Sequence, residues 1–406
     1  MLKFLVHALP FTMVYGVVWG VAGMALPLLA GSTNRAGLVF AMLNLGVAIG
    51  APVWGHLSRK QPVAGLIFLS TLLAGGGWIV LSFLGNDFLP LTAFAFGLFS
   101  AGAFALATVQ VTRIFPREKW DSYIADMQSM MVVGQVIGLL ATSLYTGPAL
   151  GIPFLLVGLV SAAWMARGLI QQEKLNFTHR HWRLHQSQSL LPGVLHGHHL
   201  RQIRFQAFLT LRSAYLAMIL TRWTLLILAW APIFALYPLL MRHAFGFGEA
   251  PSSLIYSGST ALSVPLFLMA GWIARRISSV VSVTLGALVS AVSFVLMYGA
   301  VVQSNGALGA AGFVVMSCAY AFVAVGMNDG VVDAVSSEKE GDALGVANAL
   351  MSLDNVLGGI AGGALVALFS YNVLFWIGFG LSVMALVLGL ISATLRRAAL
   401  VQETSA

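Results

Sequence analysis

Charge is what this chain has least of. Asp, Glu, Lys and Arg make up 8% of its 406 residues, where a soluble domain carries about a quarter, so a soluble globular fold is excluded. Cysteine is almost absent as well. Cys318 stands alone inside an apolar run, which rules out an intrachain disulfide and a thiol metal cluster. The sequence also lacks a phosphate-cradling glycine loop, paired carboxylates and any nucleophile–histidine constellation. Nothing therefore points to ATP-driven chemistry, to an enzyme or to a cofactor.

What is present is hydrophobic length. Hydrophobic residues reach 59%, with a mean hydropathy of +0.90. A helix needs about 20 apolar residues to cross a hydrocarbon core about 30 Å thick. Twelve runs meet that length, near 4–30, 36–55, 64–84, 89–112, 123–146, 150–170, 214–241, 252–274, 280–302, 307–331, 343–369 and 372–395. The first leads straight into the second, as a membrane helix does and a cleaved signal peptide does not. The expected fold class is all-α and integral to the membrane, with twelve transmembrane helices.

Basic residues orient the spans. Arg59 and Lys60, Arg113, Arg117 and Lys119, Arg275 and Arg276, and Lys339 follow even-numbered runs, while Arg396 and Arg397 follow the last. The opposite side holds little beyond Arg35 and Arg242. Excess Lys and Arg mark the cytoplasmic face, so both termini are expected inside a bacterial-type inner membrane. The net charge of +8 then reports topology and argues against a nucleic-acid partner.

The chain also repeats itself. Gly55–Lys60 reads GHLSRK and Gly271–Arg276 reads GWIARR, each closing the second run of its half. At an offset of 220, Met131, Gln135, Val136, Gly138 and Ala141 fall opposite Met351, Asn355, Val356, Gly358 and Ala361. The division expected is a six-helix bundle over 1–170, a His/Arg-rich cytoplasmic linker over 171–212, and a second bundle with a short tail over 213–406. Parallel halves of this kind form transporters whose substrate site lies near mid-membrane.

Over nearly its whole length the chain resembles the major facilitator superfamily. That family's loop between helices two and three reads G-x-x-x-[DE]-[RK]-x-G-x-[RK]-[RK]. Gly55 and Lys60 fit it, whereas Arg59 stands at the acidic position and Pro62 replaces the second glycine. Arg275 makes the same exchange in the second half. Gly134 and Gly138 match part of the antiporter signature, with Leu139 where its proline would be. The resemblance implies two pseudo-symmetric six-helix bundles working by alternating access, nearest to the drug/proton antiporter branch.

Asp354 is the leading candidate for the transport chemistry. It lies about eleven residues into its run, hence about 16 Å deep at 1.5 Å per residue. A carboxylate there costs about 2.5–3.5 kcal/mol on insertion scales and must face a cavity or a partner. It can bind a cationic substrate, a proton, or each in turn; the alternative is a structural bond to another helix. Tyr15, Trp19, Asn44 and Gln135 in the first half, with Trp230, Tyr237, Tyr256, Tyr320 and Asn355 in the second, are candidate cavity residues. Together they suit an amphipathic organic ligand, although each is also compatible with packing or a lipid-facing position. Asp126, Asp329 and Asp333 are shallow, and are expected to form cytoplasmic ion pairs with Arg59, Lys60, Arg275 and Arg276 beside Gly55 and Gly271. Arg222, near the edge of span seven, is expected to snorkel. The linker's His179, His181, His185, His196, His198 and His199 match no histidines in the spans, so no metal site is expected.

The activity expected is proton-coupled export of a small amphipathic or cationic compound by a monomer in a lipid bilayer. The alternatives are an uptake carrier for a sugar, organic acid or other metabolite, and a non-transporting receptor or scaffold.

Overall fold

The computed structural model describes residues 2–84, 86–114, 120–144, 151–176, 214–335 and 340–405. Among them the chain forms twelve α-helices. In the first half these are α1 (Leu2–Ala30), α2 (Thr33–Lys60), α3 (Val63–Leu84), α4 (Leu89–Ile114), α5 (Trp120–Leu144) and α6 (Gly151–Asn176). The second half contains α7 (Ala214–His243), α8 (Glu249–Arg276), α9 (Ser279–Val302), α10 (Gly306–Asp333), α11 (Glu340–Leu368) and α12 (Tyr371–Ser405). Each expected run is a helix within a few residues, except that α12 continues beyond its run to Ser405. Nine of the helices carry a described stretch long and apolar enough to span a bilayer, and shorter apolar stretches occupy α3, α4 and α6. Helices suit this solvent because they satisfy every backbone polar group internally. The protein is a multi-pass membrane protein.

Local signals end the helices. Gly31, at φ 73°, turns the chain from α1 into α2, a conformation that costs glycine nothing. The Ser278 hydroxyl caps α9 by accepting from the Val280 amide at 3.1 Å. The Asn305 side chain caps α10 by accepting from Leu308 at 3.2 Å. Prolines inside α1, α2, α7 and α8 each remove a helical hydrogen bond.

The described chain divides into two compact units, one of Met1–Val194 with Glu249–Ser257, the other of Leu195–Gly248 with Gly258–Ala406. In the first, Phe11, Ile67, Leu106, Val111, Met127 and Met165 belong to one continuous apolar core. Its α1 and α5 pack backbone to backbone. A Cβ added to Gly16 would fall on the Met131 carbonyl, one on Gly134 on the Met13 carbonyl, and one on Gly20 at 2.5 Å from the Gln135 oxygen. Lipid tails are as apolar as leucine, so such close small-residue contacts hold membrane helices together. In the second unit, Trp230, Tyr237, Phe294, Phe313 and Phe375 are fully enclosed. There α11 meets α7 at two glycines: a Cβ added to Gly358 would lie 2.6 Å from the Ala231 Cβ, and one added to Gly362 2.5 Å from the Pro232 Cβ.

Candidate functional site

Two groups of side chains concentrate the polar and aromatic chemistry, one in each unit. In the first unit, Tyr15 and Trp19 lie four residues apart and so share one face of α1. Their ring centroids are 6.1 Å apart, and Trp19 lies 5.6 Å from Phe96 of α4. The Tyr15 hydroxyl hydrogen-bonds the side chains of Trp19 and of Ser100, one turn beyond Phe96. Gln135 of α5 is half-buried, with its backbone against Gly20 of α1. Asn44 turns its amide back on its own helix, donating to Phe40 at 2.9 Å.

In the second unit, Trp230 is buried and donates its N–H to Ser290 of α9 at 2.7 Å; Ser290 in turn pairs with Ser382 of α12 at 2.9 Å. Its ring stands edge-on to Tyr320 at 5.8 Å, and Tyr320 stands perpendicular to Phe267 at 6.2 Å. Tyr320 remains 36% exposed, so this cluster presents an open aromatic face. Tyr237 is fully buried against Phe313 at 4.2 Å. Tyr256 lies in the stretch of α8 that groups with the first unit.

Asp354 is 2% exposed on α11. The Thr224 side chain of α7 hydrogen-bonds it, while its Oδ2 is buried without a partner. The 220-residue repeat explains the location: Asp354 occupies the position of Gly134, which in the first unit packs on the α1 backbone. An acid has replaced the packing glycine, and it faces the corresponding helix. That exchange was visible in the sequence. Thr224, Ser290 and Ser382 were not, because serine and threonine in an apolar helix usually bond their own backbone. Asn355, next in the chain, is half-buried.

The other expected groups are distributed as follows. Gly55 is half-buried and Gly271 buried; Asp126, Arg276 and Asp333 are exposed, and Asp329 is half-buried. The side chains of Arg59, Lys60 and Arg275, and linker residues 177–212 with the histidine tract, lie outside the described residues. Among the described residues no group of three or more His, Cys, Asp or Glu could hold a metal. Arg222 corrects an expectation. It does not snorkel but is 2% exposed, donating through Nε to the Ala385 carbonyl at 3.2 Å and through Nη2 to Thr284 at 3.0 Å. Its position in α7 turns it toward α9 and α12, where these acceptors satisfy it.

The sequence model of the Major Facilitator Superfamily matches residues 8–353 and, in a second alignment, 224–405. That is most of the chain. The protein belongs to the Major Facilitator Superfamily. As a member it is a membrane transporter that takes small-molecule substrates, and its fold is the superfamily's all-α fold. Two solved structures agree over almost the full length. A mutant of the nucleoside transporter NupG gives a TM-score of 0.72 at 15% identity, covering 96% of this chain and 98% of that one. Unmutated NupG gives 0.71 at 13%, covering 96% and 97%. At such identities the likeness speaks for the fold alone. No match was found among the curated proteins.

Proposed function

We propose that this transporter is an uptake carrier for a small polar metabolite bearing an aromatic or heterocyclic ring, driven by proton entry, with nucleosides as the first class to test. The proton site is Asp354. The observation that carries the reading is a buried carboxylate bonded on one side only, by Thr224, with Oδ2 open. A carboxylate at that depth needs a second partner, and an entering proton supplies it. Binding of that proton together with the substrate, and release of both inside, would couple their inward movements.

The ring preference rests on Tyr15, Trp19 and Phe96 in one unit and on Trp230, Tyr320 and Phe267 in the other. Aromatic faces favour offset or edge-on ring partners. Uptake is favoured over export by the likeness to a nucleoside transporter along the whole chain and by Leu139 in place of the antiporter proline. We place the protein in a bacterial inner membrane with both termini in the cytosol, on the distribution of its basic residues, and take the working unit to be the monomer.

The test is uptake of labelled uridine and adenosine into proteoliposomes with an alkaline lumen. Accumulation should collapse when the gradient is dissipated, and Asp354→Asn should lower it by about tenfold or more, since its amide cannot cycle a proton. Accumulation by the folded Asn variant at the wild-type level would refute the role of Asp354. Gradient-driven extrusion of a cationic dye, with no nucleoside flux, would restore the export reading.

A further inference from the structure

Among the described residues of the second unit, two charged side chains are buried, Asp354 and Arg222. Arg222 lies on α7, and Asp354 is bonded from the same helix by Thr224. Arg222 lies about eight residues from the start of α7, or about 12 Å along its axis, and its guanidinium reaches two other helices. Nε donates to Ala385 of α12 at 3.2 Å and Nη2 to Thr284 of α9 at 3.0 Å. The Thr284 hydroxyl spends its own proton on the Val280 carbonyl at 2.7 Å, so it presents a lone pair to the arginine. Gly389 of α12 makes the space: a Cβ there would lie 2.5 Å from Nη2 and 2.6 Å from the Thr284 oxygen.

About two turns further along α7, Trp230 is tied to the same two helices through Ser290 and Ser382. α7 is thus held at two levels, about 12 Å apart. Residue 224 follows residue 222 by two positions, about 200° around the helix. When Arg222 faces α9 and α12, Thr224 must face α11, where it meets Asp354. Arg222 has no carboxylate partner among the described residues, and a guanidinium buried in a span is costly to hold. An arginine serving only to fill space would extend to the interface.

We propose that Arg222 is a positioning residue for the proton site: through α9 and α12 it fixes the rotation of α7 at which Thr224 reaches one oxygen of Asp354 and leaves the other open. This rests on the reading of Asp354 given above. The other charged groups on the helices packed against α11 are Arg242 and His243 of α7, Asp329 and Asp333 of α10, and Arg396, Arg397 and Glu403 of α12. All of these lie toward helix ends, leaving Arg222 as the charge closest along α7 to Thr224.

The test needs no substrate. Dicyclohexylcarbodiimide, which modifies carboxyls in apolar surroundings, is applied to the full-length protein in membranes between about pH 5 and 9, and Asp354 labelling is read by peptide mass spectrometry. In Arg222→Met and Thr224→Val the labelling midpoint should move by about half a pH unit or more, while Arg222→Lys should stay nearer wild type. Folding is checked by the detergent melting temperature. An unmoved midpoint in folded Arg222→Met overturns the proposal. If that variant does not fold, Gly389→Ala, which displaces the guanidinium without deleting it, decides by the same measure. Absence of Asp354 labelling from the wild type across this range would instead refute the proton-site reading itself.

Discussion

Replacing Gly20 by alanine tests the claim that α1 and α5 meet backbone to backbone. The added Cβ would lie 2.5 Å from the Gln135 carbonyl oxygen and 3.1 Å from its carbon. No side chain is available to swing away, so α5 must retreat by about 0.9 Å to restore an ordinary contact of 3.4 Å. Overpacking of this kind costs about 1–3 kcal/mol. At about 2–4 °C per kcal/mol for a domain of this size, the melting temperature in detergent should fall by roughly 2–12 °C. Gly23 provides the control on the same helix, because nothing lies within 4 Å of a Cβ added there. Gly23→Ala should be neutral or stabilising by up to about 1 kcal/mol, since alanine is the better helix former. The retreat also carries Gln135 away from α1, so Gly20→Ala should weaken transport beyond its effect on folding. Equal melting temperatures for the two variants would refute the packing argument.

Trp230→Phe keeps an aromatic ring but removes the N–H bonded to Ser290 and half of the buried indole; it should cost about 1–3 kcal/mol for the bond plus a cavity cost, read as a lower melting temperature, with the Ser290–Ser382 pair left in place. Gly389→Ala should destabilise more than any alanine substitution at an open glycine such as Gly258, because it lands on the Arg222 guanidinium and not on empty space. Asp87→Ala removes the 2.9 Å ion pair with Arg35, whose carboxylate partner is 94% exposed. The change in stability should stay within about 0.5 kcal/mol and shrink further with added salt. Tyr320→Ala should lower the unliganded melting temperature, since it removes ring contacts with Trp230 and Phe267, and should also reduce the further shift that nucleosides produce in a thermal-shift titration.

Much of this protein was legible along the chain. All twelve helices could be placed, because a bilayer of nearly constant thickness demands apolar runs of nearly constant length. The repeat followed from GHLSRK and GWIARR, and Asp354 stood out because an acid in a span is expensive. The expectation of drug export rested on Gly134 and Gly138. The structure shows Gly138 and Gly134 serving the α1–α5 contact, a packing role that carries no information about direction or substrate.

Partner choice was out of reach of the sequence. A charged residue near the end of a span can snorkel or turn inward at equal distance along the chain, and for Arg222 the outcome depended on Thr284, Ala385 and the space left by Gly389, which lie 62 to 167 residues away. Trp230 looked like a cavity residue, yet its N–H is engaged by serines on two other helices. The sequence alone determined the number of spans, their lengths, the repeat and the presence of one deep acid, since each is set by hydropathy summed along a single helix. Only the tertiary structure decided which way each helix is turned, and with it that Asp354 meets Thr224 while Arg222 is tied off behind. Rotation about a helix axis is fixed by the neighbours that pack against it, and those neighbours come from distant parts of the chain.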